Sequence, residues 1–275
     1  MLLQRIITAL IMLPVALAGF FLLDGWGFAL FIGAVVTLAA WEWARLAGFA
    51  ARGARIGYAA LVAVLLLGLY FLGPRLPLLA PALLWIAAAW WLAAIFLVLG
   101  YPDSARFWRP AGVGLLIGLL MLLPAWQGLV LLKQWPYANW LVLAVMVLVW
   151  AADVGAYFSG KAFGKRKLAP RVSPGKSWEG FFGGMALSLL LVLGLGLWLG
   201  WGASLLVQAL VAAALVVAFS VVGDLAESMF KRQSGIKDSS NLLPGHGGVF
   251  DRIDSLTAAI PLFTLLLWLS GRMAS

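Results

Sequence analysis

The chain has 275 residues, 64% of them hydrophobic and 11% charged, with a mean hydropathy of +1.05. An ordinary soluble chain carries roughly 25% charge and a disordered one far fewer apolar residues, so both classes are excluded. A net charge of +9 invites a nucleic-acid reading, but in a membrane chain lysine and arginine collect in cytoplasmic loops, and no nucleic-acid partner is expected.

Runs of about 20 apolar residues fall near 6–23, 26–41, 56–73, 76–100, 110–132, 137–160, 181–199, 203–223 and 255–270. The expected fold class is therefore an all-α integral membrane protein with about nine transmembrane helices. Arg5, the apolar stretch after it and Ala16-Leu17-Ala18 imitate a secretory signal with a small-residue cleavage site. The apolar run continues through Phe20, Phe21, Leu22 and Leu23, which favours an uncleaved first helix.

With the amino terminus in the cytoplasm, only Arg75, Lys133 and Arg272 of the 19 basic residues fall outside. The two longer polar segments, 161–180 and 224–254, then face the cytoplasm. Trp26, Trp41, Trp43, Trp135, Tyr137, Trp140 and Trp201 sit near span ends as interfacial anchors. Of the ten acidic residues only Asp24, Glu42 and Asp103 precede residue 153. This divides the chain into a hydrophobic scaffold, 1–135, and a catalytic half, 136–275.

No cysteine is present and His246 is the only histidine. Disulfides, iron–sulfur clusters and Cys-type zinc sites are excluded, and any metal is expected to be a hard, oxygen-liganded cation. Asp153 lies inside one apolar span and Asp224 ends another, positions where a carboxylate is costly and a functional role is the default. Asp224, Glu227, Ser228 and Lys231 recur at intervals of three and four, along one face if the helix continues past residue 223. Asp251 and Asp254 are one turn apart before the last span. Two such acidic faces suit Mg²⁺ held together with phosphate groups, but they equally suit interfacial ion pairs of Glu227 with Lys231 and Asp251 with Arg252, and spacing alone does not separate the two.

Leu243-Pro244-Gly245-His246-Gly247-Gly248 adds a glycine-rich turn whose N–H groups can form an anion-binding nest. Beside carboxylates and a Lys/Arg cluster it reads as a phosphate site; taken alone, His246 merely caps a turn. Gly175-Lys176-Ser177 resembles the end of a P-loop, but the position of that motif's first glycine is Pro170 and no strand is expected before it, so a Walker A site is rejected. Lys165, Arg166 and Lys167 read as a tether to anionic lipid; Ser173, Lys176 and Ser177, which mix hydroxyl and ammonium groups, read as phosphate contacts.

The stretch Ser228-Met229-Phe230-Lys231-Arg232, then Lys237-Asp238-Ser239-Ser240, then Pro244-Gly245-His246-Gly247-Gly248-Val249-Phe250-Asp251-Arg252-Ile253-Asp254 resembles the signature of the phosphatidate cytidylyltransferases. Asp153 to Lys161 and Ser173 to Gly180 are similar to the same family, so the likeness runs from about residue 150 to the last span. The first 130 residues match only in being hydrophobic helices.

The resemblance implies that CTP and phosphatidate give CDP-diacylglycerol and pyrophosphate at the cytoplasmic face of a bacterial inner membrane, with Mg²⁺, one ion or two, as cofactor. On this reading Asp224, Asp251 and Asp254 hold the metal. Lys231, Arg232 and Lys237 offset phosphate charge, and His246 orients a phosphate or accepts a proton. Ser173, Lys176, Ser177, Asp153, Asp238, Gly247, Gly248 and Arg252 complete the substrate site. The resemblance also implies a homodimer, which would suit the glycine-rich span from Gly183-Gly184 to Gly196.

Competing readings are a secondary transporter, which accounts for Asp153 but not for the polar loops, and a CTP-dependent enzyme acting on another lipid phosphate or on a polyprenol. A kinase of the latter kind would release CDP instead of pyrophosphate. A purely structural scaffold would not explain costly charges gathered in one half.

Overall fold

Within a bilayer the backbone must satisfy its own hydrogen bonds, which leaves an apolar chain of this kind little choice but helices. The computed structural model describes residues 2–271; the expectation for Arg272 and that for the side chain of Arg5 lie outside the described residues. In chain order the helices are α1 (Leu2–Phe21), α2 (Gly25–Leu46), α3 (Arg52–Leu72), α4 (Leu79–Leu99), the single turn α5 (Ala105–Trp108), α6 (Ala111–Lys133), α7 (Ala138–Phe163), α8 (Trp178–Trp198), α9 (Ala203–Gln233) and α10 (Phe250–Leu269). The protein is an all-α integral membrane protein. Eight helices, α2 to α4 and α6 to α10, are long and apolar enough to cross a membrane, and in α1 the apolar stretch is the shorter Leu10–Phe21.

Two segments differ from the loops expected of them. Between α7 and α8 the strands β1 (Lys167–Ala169) and β2 (Ser173–Ser177) form an antiparallel hairpin, with Lys167 opposite Ser177 and Ala169 opposite Ser173. Pro170 supplies the bend, as proline favours the second position of a tight turn, and Val172 N–H closes it on the carbonyl of Ala169 at 3.1 Å. The second difference is α9, which runs ten residues past Gly223 and shortens the loop before α10 to 234–249. Its 31 residues span about 46 Å against a hydrocarbon core of about 30 Å.

α10 packs against α2, α4, α6, α7 and α9. At its start the rings of Trp43, Trp108, Phe230 and Phe250 interlock, with centroids 4.6 Å apart for Trp43 and Phe230, 5.3 Å for Trp43 and Phe250, and 4.4 Å for Trp108 and Phe230. The buried Trp43 indole donates to the carbonyl of Gly114 at 2.7 Å, which satisfies its one polar atom. Polar contacts gather at the two ends of the bundle. At one end Lys133 binds Asp24 at 2.9 Å and Asn139 at 2.6 Å; at the other lie Glu42, Arg45, Lys176, Asp224 and Asp251.

α7 and α8 approach through small residues. A Cβ on Gly155 would stand 2.7 Å from the carbonyl oxygen of Gly183 and 2.9 Å from Cα of Gly184, and one on Gly184 would meet the backbone of Ala152. Gly183 and Gly184, at the start of the glycine-rich span expected to suit association between copies, are thus covered within the chain, because the close α7–α8 crossing needs them. Gly194, by contrast, has open space around it.

Gly155→Leu is expected to destabilise the protein by about 1–3 kcal/mol, as over-packing does, while Gly194→Leu leaves stability unchanged. Thermal unfolding in detergent measures both.

Candidate active site

The overrun of α9 carries Asp224, Glu227, Ser228 and Lys231 on one face, as their spacing requires. Ser228 Oγ donates to Asp224 Oδ1 at 3.3 Å. Lys231 Nζ donates to Glu227 Oε2 at 2.7 Å and to Asp251 Oδ1 of α10 at 2.9 Å. Glu227 is 1% exposed, and its Oε1 has no hydrogen-bond partner among the described residues. From β2, Lys176 Nζ reaches Asp224 Oδ2 at 2.5 Å. Asp153 on α7 and Asp254 on α10 both lie within Coulombic range of Asp224 and Lys176. Four elements thus place Asp153, Lys176, Asp224 and Asp254 within one another's electrostatic reach, and Lys176 pairs directly with Asp224.

Asp251 faces the other way. Its oxygens accept from Ser239 N at 3.0 Å, Ser239 Oγ at 3.0 Å and Gly248 N at 2.7 Å, besides Lys231. Its acceptor capacity goes to the loop before α10, where Leu243 N donates to the carbonyl of Gly247 at 2.9 Å and His246 N to that of Leu243 at 2.8 Å. Gly245 and Gly247 take φ of 76° and 81° in this turn, which a side chain rarely permits.

Within the glycine loop expected to form a nest for a ligand anion, the N–H groups of Leu243, His246 and Gly248 are engaged inside the protein, and the amides that follow it are engaged as well. Gly248 N binds Asp251, while Val249 N and Phe250 N donate to Glu42 of α2 at 3.0 and 2.6 Å. The reason is geometric: these amides open the first turn of α10, whose donors have no helical partner, and two carboxylates lie within reach.

The remaining residues divide by exposure. Ser177 is buried and caps α8, its Oγ accepting from Gly180 N at 3.1 Å. Ser173 is half-buried on the hairpin, and Lys237 and Asp238 are exposed. Arg232 is exposed, with Nε donating to the carbonyl of Val172 at 3.2 Å, so it ties the hairpin to α9. Arg252 donates to the carbonyl of His246 at 2.7 Å. The His246 ring is half-buried, and its Nδ1 has no partner among the described residues. Lys165, Arg166 and Lys167 are exposed at the hairpin's base, where Glu179 accepts from the N–H groups of Lys165 and Arg166.

Glu42, in the scaffold half and without a role expected from the sequence, belongs to this region of the structure. It is fully buried and also accepts from Ser239 Oγ at 3.1 Å and Ser240 Oγ at 2.5 Å. In the sequence it stands directly after the apolar run 26–41, which marks a carboxylate as costly but not which residues it meets.

Among the described residues no three acidic or histidine side chains are gathered into a metal cage. Mg²⁺ needs none, since it keeps waters and is commonly held by one or two carboxylates together with substrate phosphates. The hard oxygens of Asp224 and Asp254 suit such an ion together with substrate phosphates. Asp224 is paired with the single ammonium of Lys176 and with Ser228, whereas Asp251 is engaged by Lys231, by Ser239 and by the Gly248 amide.

The cytidylyltransferase family profile matches residues 3–270. The chain belongs to this family. It is 68% identical over 271 residues to a phosphatidate cytidylyltransferase of Pseudomonas aeruginosa, covering 98% of each chain. It is 43% identical over 284 aligned positions to one of Haemophilus influenzae, covering 96% of this chain and 98% of that one. A Brucella suis protein of the same name is 47% identical over 137 residues, 47% of each chain.

Lys231→Met would strand two carboxylates at a largely buried position. It is expected to lower stability by about 3–5 kcal/mol, as removal of one partner of a buried pair does. Adding Glu227→Gln should recover part of that loss, and thermal unfolding of the two variants in detergent compares them.

Proposed function

We propose that the protein is a phosphatidate cytidylyltransferase, converting CTP and phosphatidate into CDP-diacylglycerol and pyrophosphate. The observation that carries the reading is the cluster of Asp153, Lys176, Asp224 and Asp254 where α9 outruns the hydrocarbon, in a chain 68% identical to a protein of that name. That depth suits a lipid whose tails stay in the bilayer while its phosphate meets a soluble nucleotide. The basic segments at the same end support placing it toward the cytoplasm, in a bacterial inner membrane.

A phosphate oxygen of phosphatidate attacks the α-phosphorus of CTP in line, and the bond from that phosphorus to the bridging oxygen of the β-phosphate breaks, releasing pyrophosphate. Such a step calls for positioning and charge neutralisation, with no covalent enzyme intermediate. Asp224 and Asp254, with Asp153 beside them, would hold Mg²⁺. That ion would supply neutralisation of phosphate charge and orientation of the triphosphate.

Lys176 is the lysine best placed to follow the phosphates, since its flexible stem already delivers an ammonium to the cluster. Arg232 and Lys237, both exposed, would take the outer phosphates. Lys231 is committed to Glu227 and Asp251, so its role is to hold α9 against α10. The homodimer implied by family resemblance would form through faces other than the covered Gly183-Gly184 surface.

Asp224→Asn and Asp254→Asn are each expected to reduce turnover at least about a hundredfold, the scale seen when one electrostatic contact to a transition state is removed. The assay follows pyrophosphate release from CTP in detergent with and without phosphatidate. Wild-type rates with unchanged Mg²⁺ dependence in both variants would refute the site. Release of CDP in place of pyrophosphate would identify a kinase.

A further inference from the structure

We propose that Glu42 is a positioning residue for the cation and nucleotide site, acting through the loop 239–249 and the first turn of α10. This rests on the reading of Asp224 and Asp254 given above. Glu42 is fully buried, and among the described residues no lysine or arginine forms an ion pair with it. A carboxylate so placed in a membrane helix is costly unless hydrogen bonds satisfy it. Here three donors do so, Ser240 Oγ and Val249 N to Oε1 and Phe250 N to Oε2, and Ser239 Oγ lies within reach of Oε2 as a fourth.

These bonds fix the geometry of residues that the chemistry needs. Val249 and Phe250 open α10, so Glu42 sets where that helix starts and how it is turned. Asp254 lies one turn further along. Ser239 Oγ stands 3.1 Å from Glu42 Oε2 and 3.0 Å from Asp251 Oδ2, and its single proton serves one or the other. Loop, helix start and α2 are thereby joined, and Trp43, next in sequence, packs on the ring of Phe250. At Gly248 a Cβ would stand 2.6 Å from Glu42 Oε1, so that glycine is required for the carboxylate to reach the helix.

The arrangement needs a carboxylate and not merely a polar group of the same shape. Each oxygen receives a backbone N–H, so the amide of a glutamine would set its NH₂ against Val249 N–H in one orientation and against Phe250 N–H in the other. Either way one acceptor is lost and two donors face each other in a buried site.

The test compares wild type, Glu42→Gln and Ser240→Ala as full-length protein in detergent, by hydrogen exchange and by steady-state kinetics. In Glu42→Gln, peptides covering 239–252 should exchange about tenfold faster or more, the scale of one buried hydrogen bond, with peptides of α6 and α8 unchanged. Half-saturating CTP and Mg²⁺ should both rise by a similar factor, and saturating levels of the two should restore most of the wild-type turnover. Ser240→Ala removes one donor without creating a clash; it should move each reading the same way by less, and it decides the matter if the glutamine variant does not fold.

Unchanged exchange in the loop would overturn the proposal. So would a loosened loop with unaltered CTP and Mg²⁺ dependence, or a loss of turnover that saturation does not recover. Full activity of Asp224→Asn and Asp254→Asn would instead refute the site reading, and the exchange experiment would still report whether Glu42 holds the loop.

Discussion

Lys231 carries the two ion pairs on which the geometry of the site depends. One ammonium, donated by α9, binds Glu227 on its own helix and Asp251 on α10. At the rim of a bilayer a carboxylate cannot rely on water, so each acid must find a partner within the protein. Meeting that need welds the two helices whose acids matter most. The register of α10 against α9 is what places Asp254 near Asp224, and the interlocked rings of Trp43, Trp108, Phe230 and Phe250 hold it from the other side.

Around this weld the structure shows two economies of contact. Small residues let α7 and α8 pack so closely that the hairpin between them springs from a firm base, and Arg232 pins that hairpin to α9. Lys176 therefore arrives at Asp224 from an element held at both ends. The loop before α10 follows the same logic, with glycines at positive φ bringing backbone amides onto Asp251 and Glu42. Gly248 N is thereby taken up by Asp251, and the amides of Val249 and Phe250 by Glu42.

The helices were legible because apolar runs of span length admit few other structures. The acidic face of α9 was legible from its three- and four-residue spacing, and the signature from Ser228 to Asp254 announced the family. The hairpin was not legible, because Ser173-Pro174-Gly175-Lys176-Ser177 lacks the alternating apolar pattern of a strand and its pairing rests on a turn at Pro170. Glu42 was missed since its meaning lies in contacts about two hundred positions away in the chain, which no local pattern encodes. The positive φ of Gly245 and Gly247 was legible from the glycines themselves, but which side chains the neighbouring amides meet depends on the helix that packs behind the turn.

The length of α9 also bears on traffic through the site. On the proposed reading, a helix of about 46 Å against a core of about 30 Å would carry its acids to the level at which lipid phosphates reside. A phosphatidate molecule would then reach them by sliding sideways in its own leaflet, and its product would leave the same way without crossing an interface. Nucleotide and pyrophosphate would travel at right angles to that path, through water. The ten residues by which α9 runs past Gly223 would thus keep apart two streams that meet at one phosphorus atom.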